Sequence, residues 1–267
     1  MARGSIRTGI GGWTFEPWRG TFYPEGLSKA KELAYAGQHL QTIEINSTYY
    51  GTQKPATFAK WASDVPNGFV FSVKGNRFVT NRRVLAEAGE SLDRFIKSGI
   101  SELGDRLGPL VWQFAPTKKF DAEDFGAFLG LLPDKEAGIA LRHAVEVRHP
   151  SFIDPAFVAL ARSRNIAIVY AEHFDYPEIA DITSDFVYAR LQKGVDDIPT
   201  AYSSDALDQW ARRAKEWAEG DAPEDLPLAA PDDAAKKVAR DVFVYFIHEG
   251  KVRAPQAAQA LAERVRD

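Results

Sequence analysis

The sequence predicts a TIM-type (β/α)8 barrel, folded as one domain over residues 1–267. Three observations predict it. Eight short apolar runs recur along the chain. Stretches of helical periodicity separate most of them, and such alternation specifies a parallel sheet, because parallel neighbours need crossover connections. Several of the runs also alternate aliphatic and polar residues, with the polar ones gathered towards their C-terminal ends. A length of 267 residues is common for one such barrel. An open doubly wound sheet is the alternative that strand count leaves standing.

The elements follow in order. Residues 6–12 form the first strand, and a helix from Ser28 carries Leu33, Ala36 and Leu40 on one face. Residues 42–46 are the second strand, followed by a short helix from Pro55 with Phe58, Trp61 and Ala62 grouped. Residues 69–74 are the third strand, and a helix from Ser91 presents Leu92, Phe95, Ile96 and Leu103. The fourth strand spans 109–114, and Asp121 can cap the next helix, whose buried face is Phe125, Phe128, Leu129 and Leu132. Residues 144–148 are the fifth strand. Asp154-Pro155 then reads as an N-cap followed by proline at the first helical position. Residues 166–171 are the sixth strand, but 177–185 is too short for a full helix, so the sixth crossover is degenerate. Residues 186–191 are the seventh strand, followed by a helix from about Ser204 with Leu207, Trp210, Ala214 and Trp217. A long Asp-, Ala- and Pro-rich loop over 219–237 precedes the eighth strand, 242–247, and a last helix begins near Pro255.

Composition narrows the function. With no cysteine there is no thiolate nucleophile, disulfide or Cys-based metal site. No secretory h-region and no run of about 18 apolar residues is present, which predicts no membrane contact and a cytoplasmic location. A net charge of −4 weighs against a dedicated nucleic-acid binder.

Neighbouring side chains on a strand point to opposite faces. The aliphatic phase suits the helices outside, so the polar phase should enter the lumen near the C-terminal ends, where barrels of this kind carry their sites. On that reading Glu44, Asn46, Lys74, Glu146, Arg148, Glu172 and Arg190 converge, joined by Gln113 and His248. Opposite charges crowded in such a mouth must be paired. They form either a structural network or a ligand site. As a ligand site, Glu146, Glu172 and Glu44 are the acid/base candidates. Lys74, Arg148 and Arg190 would hold an anionic group, while Asn46 and Gln113 would orient hydroxyls. Trp13, Trp18, Tyr23, Tyr49 and Tyr50 lie on loops after strands one and two, where they could stack on a ligand or plug the mouth. Gly9, Gly11 and Gly12 do not make a dinucleotide fingerprint, because an aromatic loop and not a helix follows them.

The expected function is therefore an enzyme acting on a phosphorylated or polyhydroxylated small molecule, with no cofactor. A divalent metal held by Glu44, Glu146, Glu172, His149 and His173 is a variant that the interleaved cations oppose. A nucleic-acid-processing module, using Arg77, Arg82, Arg83, Lys118 and Lys119, and a non-catalytic ligand-binding barrel are the alternatives. The oligomeric state is left open.

Six ordered motifs carry a family resemblance. They are Gly12-Trp13 with Trp18 and Phe22-Tyr23-Pro24, the run Glu44 to Tyr50, the run Phe69 to Lys74, Gln113-Phe114-Ala115-Pro116, Glu146-Val147-Arg148-His149, and Tyr188-Ala189-Arg190-Leu191. Over nearly its whole length the chain resembles the YecE-like family, also called domain of unknown function 72. The resemblance implies a TIM-type barrel and no established reaction. The chain departs from the family pattern at Gln192-Lys193-Gly194, where His-Gly is common, and at Ile247-His248, where an Asn pair is common. It also has Asn81 after Thr80, where His is often found.

Overall fold

The computed structural model of the chain describes residues 3–266. Strands β1 (Ile6–Gly11), β2 (Thr42–Ile45), β3 (Val70–Lys74) and β4 (Leu107–Gln113) come first. A small hairpin, β5 (Lys135–Glu136) and β6 (Ile139–Ala140), precedes β7 (His143–Glu146), β8 (Ala167–Ile168), β9 (Tyr170–Glu172), β10 (Phe186–Lys193) and β11 (Asp241–Glu249). The hydrogen-bonded order is β8-β7-β4-β3-β2-β1-β11-β10-β9, parallel throughout. β8 and β9 are one stretch interrupted at Val169, whose N–H donates to the Val145 carbonyl at 2.9 Å. The two ends of the order are thus the same piece of chain, and the sheet closes into a barrel.

The helices are α1 (Glu32–His39), α2 (Pro55–Asp64), α3 (Arg77–Thr80), α4 (Gly89–Ile96), α5 (Ala122–Leu131), α6 (Pro155–Ser163), α7 (Ser204–Glu219) and α8 (Ala254–Val265). Their starts follow local chemistry. The Asp121 carboxylate accepts the Asp124 N–H at 2.9 Å, Asp154 accepts Ala156 N–H at 2.8 Å, and the Ser203 hydroxyl accepts Ala206 N–H at 3.2 Å. Each side chain satisfies an N–H that the helix itself leaves unpaired. One expected helix is shorter than its periodicity suggests. α4 stops at Ile96, because Gly99 takes φ 109° and starts a run of tight turns, so Leu103 is buried outside it.

The sixth crossover has no helix, as its length predicts. It is held by the other irregular segment instead: Asp181 accepts the N–H groups of Ala229 and Ala230 at 2.6 and 3.0 Å, from the loop between α7 and β11. Among the described residues, no helix is long and apolar enough to cross a membrane.

Apolar residues form two layers. One lies between sheet and helices and includes Ile43, Ile45, Val73, Trp112 and Val145. The other fills the lumen with Val111, Val169, Phe186, Tyr188, Phe243, Tyr245 and Ile247. At the N-terminal end Arg142 pairs with Asp241 at 2.9 Å and lies over the Phe186 and Phe243 rings at 5.4 and 5.1 Å. Open space is left at the other end.

Strand six runs in the opposite phase to the one expected. Ala167 and Val169 face the lumen, while Tyr170 packs outward against Trp210 and Trp217 of α7. The register gives the reason. Ala171 stands beside Arg190, and a methyl group leaves room in the lumen for that guanidinium.

Candidate functional site

The lumen alternation of β2, β3, β7 and β10 delivers Glu44, Lys74, Glu146 and Arg190 to one place. Glu44 and Glu146 are both 0% exposed, and Arg190 bridges them. Its Nη2 lies 3.0 Å from Glu44 Oε1, and its Nη1 donates to Glu146 Oε2. Arg148 Nε and Gln113 Nε2 both donate to Glu146 Oε1, at 2.8 and 2.9 Å. Beneath them, Tyr188 donates to Glu44 Oε2 at 2.6 Å. Its one proton is thereby used, so Ser72 donates to the phenol oxygen, at 2.7 Å. In the same layer Thr42 donates to the Val70 carbonyl, so Tyr245 donates to Thr42. The two carboxylates are thus satisfied before any ligand arrives, as buried charges must be.

Burial pushes the Glu146 carboxyl up, but Arg190, Arg148 and Lys74 together outweigh it and hold its pKa at about 2. Stability from this ionised carboxylate is therefore complete above the ordinary value of 4.5 and is lost as pH falls towards 2. Denaturant unfolding between neutral and acid pH should show that loss, and it should be markedly smaller in Glu146→Gln. Parallel pH curves for the two proteins would contradict the assignment.

Lys74 differs from its neighbours. It is 9% exposed, and its Nζ sits 4.6 Å from the centre of the Tyr49 ring. Among the described residues no carboxylate lies within salt-bridge distance of it. Burial first, then repulsion from Arg190, lowers its pKa to about 8. Two other donors are also unused: Arg190 Nε and Gln192 Nε2 are buried without an acceptor.

Above the ring is a cavity of about 830 Å³. Lys74, Gln113, Arg148, Arg190 and Gln192 form its floor, and Asn46, His248 and Lys251 lie at its sides. Trp13, Tyr50 and Trp61 supply aromatic walls, with Trp13 and Trp61 edge-on at 5.1 Å. Gly11 lets Ile247 pack directly on the β1 backbone beside the cavity, since a Cβ there would lie 2.4 Å from Ile247 Cγ2.

Thus Glu44, Asn46, Lys74, Gln113, Glu146, Arg148 and Arg190 come together as the alternation predicts. Trp13 also reaches the cavity, and Tyr49 supports Lys74 from beside it. His248 is at the exposed rim, in a left-handed conformation with φ 74°.

Three expected members lie elsewhere. Glu172 belongs to the inverted strand six, where it accepts the Tyr202 hydroxyl at 2.7 Å; burial there raises its pKa. Trp18 is 0% exposed and donates to the Lys251 carbonyl at 2.8 Å. Tyr23 is 1% exposed and donates to the Trp13 carbonyl at 2.6 Å. Both rings brace the first loop from within, against Phe22 and each other, and present no face to a ligand. The five residues of the metal variant do not assemble either. Among the described residues no three His, Asp or Glu side chains are grouped to hold an ion, and His149 instead caps the turn at Ser151.

Sequence reasoning missed Gln192 and Trp61. Gln192 was signalled, because it continues the lumen phase of Tyr188 and Arg190. Trp61 was not, because helical periodicity does not say which buried-face residue overhangs the mouth.

Fold and site together define a TIM-type barrel protein with an ion-paired polar ring under its C-terminal mouth. The model of the family described as "Protein of unknown function DUF72" matches residues 7–267, and the chain belongs to that family. A DUF72 family protein from Thermotoga maritima is similar in structure, with a TM-score of 0.70 at 22% identity over 97% of each chain. Another from Enterococcus faecalis has a TM-score of 0.71 at 17% identity, over 97% of this chain and 95% of that one. At these identities the likeness bears on fold alone. No curated protein matches the chain.

Proposed function

We propose that the protein is an enzyme that binds a small anionic molecule, phosphorylated or polyhydroxylated, in the barrel mouth and moves a proton through Lys74. The observation carrying this reading is the surplus of donors at the cavity floor. Glu44 and Glu146 pair with the two arginines, yet among the described residues no carboxylate lies within salt-bridge distance of the Lys74 ammonium beside them. An anion resting on Lys74 and Arg148 supplies the missing charge, and its approach stabilises the protonated amine. With a pKa of about 8 in the empty site, raised by the bound anion, the amine is protonated near neutral pH and serves as the proton donor. Glu146, at about 2, holds no proton to donate there. Its role here is to hold Arg190, Arg148 and Gln113 in place. Asn46 orients hydroxyl groups, and Trp13 and Trp61 cover the carbon skeleton.

Calorimetric titration with inorganic phosphate and with a hexose phosphate tests the reading. Saturable binding is expected, weakened roughly ten- to a hundredfold by Lys74→Met or Arg148→Ala and unchanged by Glu172→Gln. It should also weaken as pH rises past about 8, where Lys74 loses its proton. Binding that ignores both mouth variants would refute the proposal.

A further inference from the structure

We propose a second anion-binding subsite beside the mouth, built by the loops after β3 and β4, which takes a second phosphate-type group of the same ligand. That the ligand is shared rests on the reading of the mouth given above; the subsite does not.

Residues 75–83 and 114–119 contain Arg77, Arg82, Arg83, Lys118 and Lys119 and no carboxylate, in a chain whose net charge is −4. They are concave as well as basic. A cavity of about 600 Å³ is lined by Thr80, Arg82, Arg83, Thr117, Lys118 and Lys119. Asp124 neutralises only one of its cations, pairing with Lys118 at 2.7 Å. Arg82 is held in place by the Phe78 carbonyl and the Ser91 hydroxyl, at 2.8 and 2.7 Å, and neither partner is charged. Among the described residues Arg83 and Lys119 have no ion pair. Three positive charges therefore share a hollow without a counter-charge, an arrangement that concentrates anions and suits the bidentate geometry of phosphate on arginine. A further feature points the same way: Thr80, 1% exposed, is among the residues lining this hollow, and its buried hydroxyl has no hydrogen-bond partner.

The two cavities have lining residues close together at the end of β4. Gln113 lines the mouth and Ala115 lines the second hollow. Two residues of chain separate their Cα atoms by at most about 7 Å. One compact molecule bearing two anionic groups can therefore rest one on Lys74 and Arg148 and the other on Arg82, Arg83 and Lys119.

The experiment is calorimetric titration of the full chain with inorganic phosphate, a hexose monophosphate, a hexose bisphosphate and an oligothymidylate, at low and raised salt. The bisphosphate is expected to bind at least about tenfold more tightly than the monophosphate. Arg83→Ala combined with Lys119→Ala, both at exposed positions, should remove that advantage and leave monophosphate binding in place. A bisphosphate that binds no tighter, or an advantage that survives the double variant, would overturn the subsite. If the double variant abolishes phosphate binding while Arg148→Ala does not affect it, the subsite holds and the mouth reading fails. Preference for the oligothymidylate over the bisphosphate would overturn the small-ligand assignment.

Discussion

Replacing Arg190 with methionine is expected to lower the unfolding free energy by about 3–5 kcal/mol, the usual effect of removing one partner from a buried charge cluster. Arg190 is 4% exposed and bridges two carboxylates that are themselves 0% exposed. Without it Glu44 keeps the Tyr188 hydroxyl but no paired cation, while Glu146 loses one of its two arginines and keeps Arg148 and Gln113. For a chain of this size the drop corresponds to roughly 6–20 °C in melting temperature. Adding Glu44→Gln and Glu146→Gln to the variant should recover part of the loss, because the stranded charges are then gone. Guanidinium unfolding of the three proteins measures this. A loss under about 1 kcal/mol in the single variant would show that the ring does not hold the barrel top together.

That ring was legible in the sequence because β2, β3, β7 and β10 separate their two faces cleanly. Ile43 and Ile45 lie on one face against Glu44 on the other, and Val187 and Ala189 lie against Tyr188 and Arg190. The parallel sheet was legible because eight runs mostly alternate with helices, whereas its closure depends on the β8–β9 stretch joining both ends of the sheet, which strand count does not decide. Strand six gave no such contrast. Residues 166–171 are apolar on both faces, so its phase is set by its neighbours: Ala171 beside Arg190, and Tyr170 against two tryptophans with its hydroxyl on Glu178 at 2.7 Å. Glu172 was carried to the wrong face by that inversion. Trp18 and Tyr23 failed for another reason. A loop rich in aromatics builds a small core of its own, and nothing in residue order says which rings enter it and which, like Trp13, remain at the cavity.

Lys74→Met is expected to have the opposite sign to Arg190→Met and to stabilise the fold near neutral pH. A lysine whose pKa falls from 10.5 to about 8 on folding resists its own charge in the native state. The folded protein then binds the proton less well than the unfolded chain, which costs about 3 kcal/mol at any pH below the folded value. The cost fades as pH rises from about 8 to 10.5 and is absent above that range. Methionine has a similar length and no charge, so the variant should be more stable by about 2–3 kcal/mol at pH 7 and equal to the parent at pH 11. Unfolding by guanidinium at both pH values checks this. The same substitution weakens phosphate binding in the proposed function. A residue that strains the empty protein and serves only the loaded one is what a binding site retains at the expense of stability. If Lys74→Met proves less stable than the parent at pH 7, Lys74 is instead a structural member of the ring, and the argument that its charge awaits a ligand fails.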